Sequence, residues 1–304
     1  MNNEPILIVG TGALATLFAA RLAERGHDIT MLGTWDAGLN ALTRDGARMA
    51  DASGRERAFR VRVTRDPRAA RGSKYAFVLV KSWQTERAAG QLADCLADEG
   101  LAVTLQNGLG NDDILAHSLG RERVALGVTT TGATLLGPGL VRAGGEGVVS
   151  LEAHPRVSQV EASLTEAGFL VEVVADAKSL VWGKLVVNAA INPLTALLRV
   201  PNGELLNRPS ARVMMKALAD EAAAVASAQR VRLPFKNPIE AAEMVARKTA
   251  ANHSSMFQDI RRGAPTEIDA ICGAVARTGE RHRVPTPVNR VCWQLVQAMA
   301  VNSR

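Results

Sequence analysis

Ile6-Leu7-Ile8-Val9-Gly10-Thr11-Gly12-Ala13-Leu14-Ala15 is the stretch whose reading decides the fold. An apolar run of strand type passes directly into a glycine turn. Leu17-Phe18-Ala19-Ala20-Arg21-Leu22-Ala23-Glu24 follows with its apolar residues at helical spacing. Strand, glycine turn and helix in this order are the context that gives a glycine triplet meaning. Gly10 permits the tight turn, and Gly12 lets a pyrophosphate approach the backbone. The helix start offers N–H groups and a positive dipole end. Ala15, at the third position, is small enough for the helix to pack on the strand. Residues 27–32 read as the second strand. The expected contacts to a dinucleotide in this turn are Gly10, Thr11, Gly12, Ala13 and Leu14.

Further strand-like runs stand at 75–80, 102–105, 124–128, 148–151 and 170–174, with helical segments between the earlier ones. The fold class is therefore α/β, a Rossmann-type doubly wound sheet over residues 1–175. In such sheets the ligand lies beyond the carboxyl ends of the strands. Those ends carry Lys81-Ser82-Trp83-Gln84, Gln106-Asn107-Gly108-Leu109-Gly110 and Thr129-Thr130-Thr131-Gly132. Asn107-Gly108 also suits a plain turn, and Lys81 also suits a solvated face. Their coincidence with separate strand ends favours contact with the nicotinamide ribose, the pyrophosphate or a substrate. At the end of the second strand, a carboxylate would select NAD and an arginine NADP. Gly33-Thr34-Trp35-Asp36 supplies a hydroxyl there, with Asp36 two residues on and Arg44 further along, so the choice stays open.

After residue 175 the strand pattern stops. Residues 176–304 read as an all-helical domain, with helices near 178–198, 208–230, 238–250, 255–262, 265–281 and 286–301. Such a domain commonly forms the far wall of a ligand cleft. Within its first helix, Lys184, Asn188 and Asn192 lie four and eight residues apart. At ~3.6 residues per turn they fall within ~40° steps around the axis, so all three share one face. A solvated face has the same spacing. Leu185, Val186, Val187, Ala189, Ala190 and Ile191 argue for burial instead, because they cover most of the remaining circumference. Asn also forms helix less well than Ala by ~0.5 kcal/mol, so something beyond local propensity holds it there. An ammonium beside two carboxamides of fixed direction suits a small polar substrate with a developing alkoxide. Pro193 lacks an N–H, which predicts a kink or an open carbonyl beside Asn192. Ser255 followed by Gln258 reads as a capping box, and a hydroxyl at a helix start also suits a carboxylate. Glu267 falls in the first turn expected for the helix 265–281, where an acid is favoured by the dipole alone.

Composition narrows the class. The chain has 304 residues, 47% hydrophobic and 22% charged, as in ordinary globular proteins. No run approaches ~18 uninterrupted apolar residues, so no membrane span is expected. Met1-Asn2-Asn3-Glu4-Pro5 runs straight into a strand without an export pattern, which predicts a cytoplasmic protein. The net charge of +6 is accompanied by one tyrosine and six phenylalanines, with no basic cluster interleaved with aromatics. Nucleic acid is therefore not an expected partner, whereas an anionic small molecule is. Cys95, Cys272 and Cys292 are odd in number and widely spaced, fitting packing residues rather than a disulfide framework or a metal site.

Several motifs stand together in one order: Gly10-Thr-Gly-Ala-Leu14, Val80-Lys-Ser-Trp-Gln84, Gln106-Asn-Gly-Leu-Gly110, Gly127-Val-Thr-Thr-Thr-Gly132, Lys184 through Ala196, Pro201-Asn-Gly-Glu204, Ser254-Ser-Met-Phe-Gln-Asp259 and Thr266-Glu-Ile-Asp269. In these the chain resembles the ketopantoate reductases (2-dehydropantoate 2-reductases) along nearly its entire length. The resemblance implies NADPH-dependent reduction of 2-dehydropantoate to (R)-pantoate, a step of pantothenate and coenzyme A biosynthesis. It implies Lys184 as general acid and Glu267 as its acidic partner. Asn188, Asn192 and Ser255 become substrate-binding residues, with Asn202 added. Asn107 falls near the nicotinamide and the substrate, and Lys81 near the cofactor. Thr34 stands where many members have an arginine for the 2′-phosphate, which keeps NAD open beside NADP. Other members reduce other branched or aromatic 2-keto acids, so a related reductase is the alternative, and a non-enzymatic dinucleotide sensor the remote one. The expected assembly is a monomer or a homodimer.

Overall fold

The computed structural model of the protein describes residues 4–145 and 147–299. Its contacts divide into two compact units. One holds residues 4–106 and 110–177 of the described chain, and the other holds 107–109 and 178–299.

The first unit contains strands β1 (Ile6–Val9), β2 (Ile29–Leu32), β3 (Ala47–Ala50), β4 (Glu56–Phe59), β5 (Arg62–Thr64), β6 (Ser73–Val78), β7 (Leu96–Thr104), β8 (Val124–Thr129), β9 (Ala133–Gly137), β10 (Leu140–Ala143), β11 (Val148–Glu152) and β12 (Leu170–Val174). Its helices are α1 (Ala13–Glu24), α2 (Asp36–Asp45), α3 (Thr85–Cys95), α4 (Asn111–Leu119) and α5 (Val157–Glu166). Among the described residues, eight strands form one sheet in the order β12-β11-β8-β7-β6-β1-β2-β5. It is parallel except where β11 runs antiparallel to β8. A parallel neighbour needs a crossover of a dozen or more residues, usually helical. Between β8 and β11 the chain instead makes the β9–β10 hairpin, so the return strand pairs antiparallel.

Alternation along β1 explains the doubly wound arrangement. Ile6 and Ile8 point into one core with α1 and α5, whereas Leu7 and Val9 point into the other with α3 and α4. A strand covered on both sides has no polar position, and all four residues are buried. Strands β3, β4, β10 and β9 form a separate small sheet that sequence patterning did not reveal. Strand β4 is largely exposed and β5 only partly buried, so neither carries an apolar run to betray it.

The second unit holds α6 (Ala177–Leu198, from Lys178 onward), α7 (Pro209–Ala228), α8 (Pro238–Lys248), α9 (Ser255–Arg261), α10 (Cys272–His282) and α11 (Pro287–Met299). The expected helix at 286–301 is observed to residue 299, and positions 300 and 301 lie outside the described residues. The expected helix at 265–281 is corrected. Residues 267–271 form turns, and regular helix begins only at Cys272. Helix α6 has the length and hydropathy of a membrane span, yet Trp182, Leu185, Val186, Ala189, Ala190, Ile191 and Leu194 are buried in the core of this unit. The three cysteines are free and buried. Desolvation pushes the thiols of Cys95 and Cys292 up to about 11 and that of Cys272 well above its ordinary value.

Phe18 of α1 is fully buried, with ring contacts to Phe77 at 5.8 Å and Phe169 at 4.4 Å. Phe18→Ala removes both contacts and leaves a cavity in the sheet's core. It should destabilise the protein by about 3–5 kcal/mol. Urea unfolding checks this: the midpoint falls while the slope stays constant.

Candidate active site

The glycine turn has the geometry that a dinucleotide requires. Gly10 has φ +134, and a Cβ there would lie 3.0 Å from the Leu79 carbonyl oxygen, so the position needs glycine on two counts. At Gly12, the N-cap of α1, a Cβ would point into open space. No side chain caps α1, and no acid stands in its first turn. The amides of Ala13 and Leu14 at this start are therefore available to an anion. Thr11 is buried, and its side chain fills the space that a Cβ on Gly33 would occupy. The pyrophosphate turn and the end of β2 thus pack on each other. Thr34 follows Gly33 and is exposed. Lys81 is half-buried at the cap of a 3₁₀ turn after β6, and its backbone N–H donates to Gln84 Oε1 at 3.3 Å. Gln106 Nε2 donates to the Val80 carbonyl at 3.0 Å, tying the ends of β6 and β7.

In the helical unit, α6 carries the polar stripe. Lys184 and Asn188 are half-buried, and Asn192 is 7% exposed. The helix runs through Pro193 without interruption. Thr195, one turn beyond Asn192, lies 3.0 Å from the Asn192 carbonyl and 2.7 Å from the Ser254 hydroxyl. One hydroxyl has a single proton. A consistent arrangement has Thr195 donating to the carbonyl and Ser254 donating to Thr195, while Ser254 accepts from the Phe257 N–H at 3.1 Å.

This corrects the cap expected at Ser255. Ser254 is the N-cap of α9, Ser255 is the first helical residue, and Gln258 Nε2 donates to the His253 carbonyl at 2.9 Å instead of closing a box. Two adjacent serines are indistinguishable by propensity, and the Ser255/Gln258 spacing favoured the wrong one. Thr195 and Ser254 were missed for the same reason. Their bond spans 59 positions and leaves no local signal.

Glu267 lies in the turns before α10, not in a helical first turn. Its carbonyl accepts from the N–H groups of Ala270 and Ile271, each at 3.1 Å. The Gly273 N–H then reaches back to the Ile268 carbonyl at 3.0 Å, re-aiming the chain before the helix begins. The Glu267 side chain is 5% exposed and accepts from Asn107 Nδ2 at 3.0 Å. Asn107 reaches it because residues 107–109 belong to the helical unit. Gly108 takes φ +87, and the Leu109 N–H donates to the Ala270 carbonyl at 3.2 Å.

Lys184 is the electrostatic focus. Desolvation pushes its pKa down to about 8, and the Glu267 carboxylate opposes this by favouring the charged ammonium. Lys184, Glu267 and Asn107 are therefore coupled, and Ser254, the neighbour of Ser255, is bonded to Thr195 of α6. Asn202 is engaged elsewhere. Its Nδ2 donates to Thr249 at 2.8 Å and its N–H to the Asn252 carbonyl at 2.9 Å, bracing the 3₁₀ turn Asn202–Leu205. Its Oδ1 is buried without a partner among the described residues.

A glycine turn for a dinucleotide and a desolvated lysine beside a carboxylate are the parts of a carbonyl reductase. Residues 6–156 match the family described as ketopantoate reductase PanE/ApbA, and residues 176–300 match its C-terminal part. The chain belongs to the ketopantoate reductase family. A 2-dehydropantoate 2-reductase of Archaeoglobus fulgidus is 38% identical, covering 98% of this chain and 99% of the relative. The crystal structure of a PanE/ApbA family ketopantoate reductase from Ralstonia eutropha JMP134 is 31% identical, with a TM-score of 0.91 and 98% of each chain covered. A D-mandelate dehydrogenase solved with NADH is 25% identical, with a TM-score of 0.86 and coverage of 97% of this chain and 98% of that one. The protein is thus an oxidoreductase acting on CH–OH groups, of a family that binds NAD(P)H, rather than a non-catalytic sensor.

Gly108→Ala should strain the loop twice, because φ is positive and the new Cβ would stand 2.4 Å from the Ala270 carbonyl oxygen. The expected cost is at least about 1–2 kcal/mol. Thermal unfolding checks it, with Asn107→Ala, which keeps the backbone, as the milder comparison.

Proposed function

We propose that the protein reduces 2-dehydropantoate to (R)-pantoate with NADPH, serving pantothenate and coenzyme A synthesis. The observation that carries this reading is Lys184, an ammonium on an apolar helix with its pKa lowered to about 8 and Glu267 opposing the shift. Reducing a ketone requires a hydride at carbon and a proton at oxygen. The dinucleotide, when bound on the Gly10–Leu14 turn, supplies the hydride. Lys184 supplies the proton. It is charged at neutral pH yet acidic enough to protonate an oxygen that is becoming an alkoxide. Glu267 keeps it charged against desolvation and fixes Asn107. Asn188 and Asn192 present carboxamides in directions set by α6, and Ser255 adds a hydroxyl. These groups orient the carboxylate and hydroxyls of the substrate so that the carbonyl oxygen meets the ammonium.

A second reading has its own support. The likeness to a D-mandelate dehydrogenase solved with NADH, together with Thr34 at the end of β2, favours reduction of an aromatic 2-keto acid with NADH. Initial rates on 2-dehydropantoate and on an aryl 2-keto acid, each with NADPH and NADH, separate the two. A kcat/KM higher for the aryl acid would reject the narrower assignment.

Lys184→Ala should lower kcat by about 100-fold or more, the usual contribution of a general acid, with nucleotide affinity retained. Undiminished turnover would exclude Lys184 as the acid. The pH profile is a further check. The acid works only when protonated, so kcat should fall as pH rises through about 8. Glu267→Gln removes the charge that raises the Lys184 pKa, so the falling limb should move to lower pH. A limb that stays or moves higher contradicts the coupling.

A further inference from the structure

We infer that Arg65, in the bend just beyond the strand next to β2, reads the 2′-phosphate of the dinucleotide in place of the arginine that Thr34 does not supply. The inference rests on the proposed dinucleotide site of the first unit and concerns its choice between NADPH and NADH.

Register places Arg65. Strands β2 and β5 pair in parallel, with Leu32 opposite Thr64, and the Gly33 N–H donates to the Thr64 carbonyl at 3.2 Å. Arg65 follows in the bend just beyond Thr64, at the end of the sheet where Gly33 and Thr34 follow β2. This is the strand end at which a dinucleotide's adenosine ribose is read. The guanidinium of Arg65 pairs with the carboxylate of Asp36, the first residue of α2. Both side chains are well exposed, at 57% and 71%. An exposed ion pair contributes little stability, so an incoming group can displace it at small cost.

Arg44, the other arginine near this end in sequence, is held apart. It stands on the last turn of α2, ~12 Å along the helix from Asp36 at ~1.5 Å per residue. Its guanidinium is engaged by Asp45 through two bonds of 2.8 and 2.7 Å. Arg65 is thus the guanidinium that the fold brings to the ribose end of β2.

The pair gives the two groups opposite preferences. A 2′-phosphate brings two negative charges and a geometry that a guanidinium meets with two parallel bonds. A free 2′-hydroxyl instead donates to a carboxylate, the role open to Asp36. With phosphate present Arg65 turns from Asp36 to the ligand, and Thr34 can donate its hydroxyl to the same group.

The test is the dissociation constant of NADPH and of NADH, read by nicotinamide fluorescence on the full chain at low salt. The wild type should bind NADPH more tightly. Arg65→Ala should weaken NADPH by about 10-fold or more, the scale of a lost charge-assisted bidentate contact, and NADH far less. Arg65→Lys, which keeps the charge and loses the fork, should fall between. Asp36→Asn should shift preference the other way, toward NADPH. Equal weakening of both nucleotides in Arg65→Ala, or a wild type that prefers NADH, would overturn the inference and leave the dinucleotide site standing. Binding of neither nucleotide to the folded wild type would overturn the dinucleotide reading itself, and this inference with it.

Discussion

A desolvated ammonium on a largely apolar helix is the constraint around which the second unit is arranged. Desolvating a charge costs several kcal/mol unless an opposite charge and hydrogen bonds replace water. At Lys184 that cost shows as a pKa lowered to about 8, and Glu267 offsets part of it by favouring the charged form. Glu267 is itself buried and needs donors, and the Asn107 amide supplies one at 3.0 Å. Three irregular features follow from this chain of requirements. Helix α10 starts late, residues 267–271 form turns, and the loop 107–109 passes through a left-handed glycine to bond with Ala270. Each would be a defect in an idealised backbone, and each brings a partner to one buried charge.

The first unit solves a different problem with backbone. At the start of α1 it offers amide N–H groups with no capping side chain and no acid in the first turn, an arrangement that suits an anion. Its demands are steric: no Cβ at Gly10, open space at Gly12, and Thr11 packed where Gly33 has no side chain. Thr34, Asp36 and Arg65, at and beyond the ends of β2 and β5, are instead exposed, so the core does not depend on them.

Much of this was legible in the sequence, and the failures share a cause. Buried parallel strands such as Ile6–Val9 announce themselves as apolar runs, because both faces are covered. The exposed strand Glu56–Phe59 and the short, partly buried Arg62–Thr64 have no such pattern, so the small sheet and the edge of the large one were missed. The stripe of Lys184, Asn188 and Asn192 was legible because helical spacing converts directly into a shared face. Glu267 was found but misplaced, since an acid near a helix start is favoured by the dipole whether or not it has another task. Ser254 was passed over for Ser255 because capping rules weigh only neighbours along the chain.

The sequence alone therefore determined the class of fold, the glycine turn and the polar stripe of α6. Each of these is encoded by periodicity or by a local steric demand that a few adjacent residues satisfy. Only the tertiary structure decided that Asn107 meets Glu267 across 160 positions, that Glu267 bears on the Lys184 pKa, and that Arg65 pairs with Asp36. Electrostatic coupling and strand register depend on distance in space, and nothing in local propensity reports that distance.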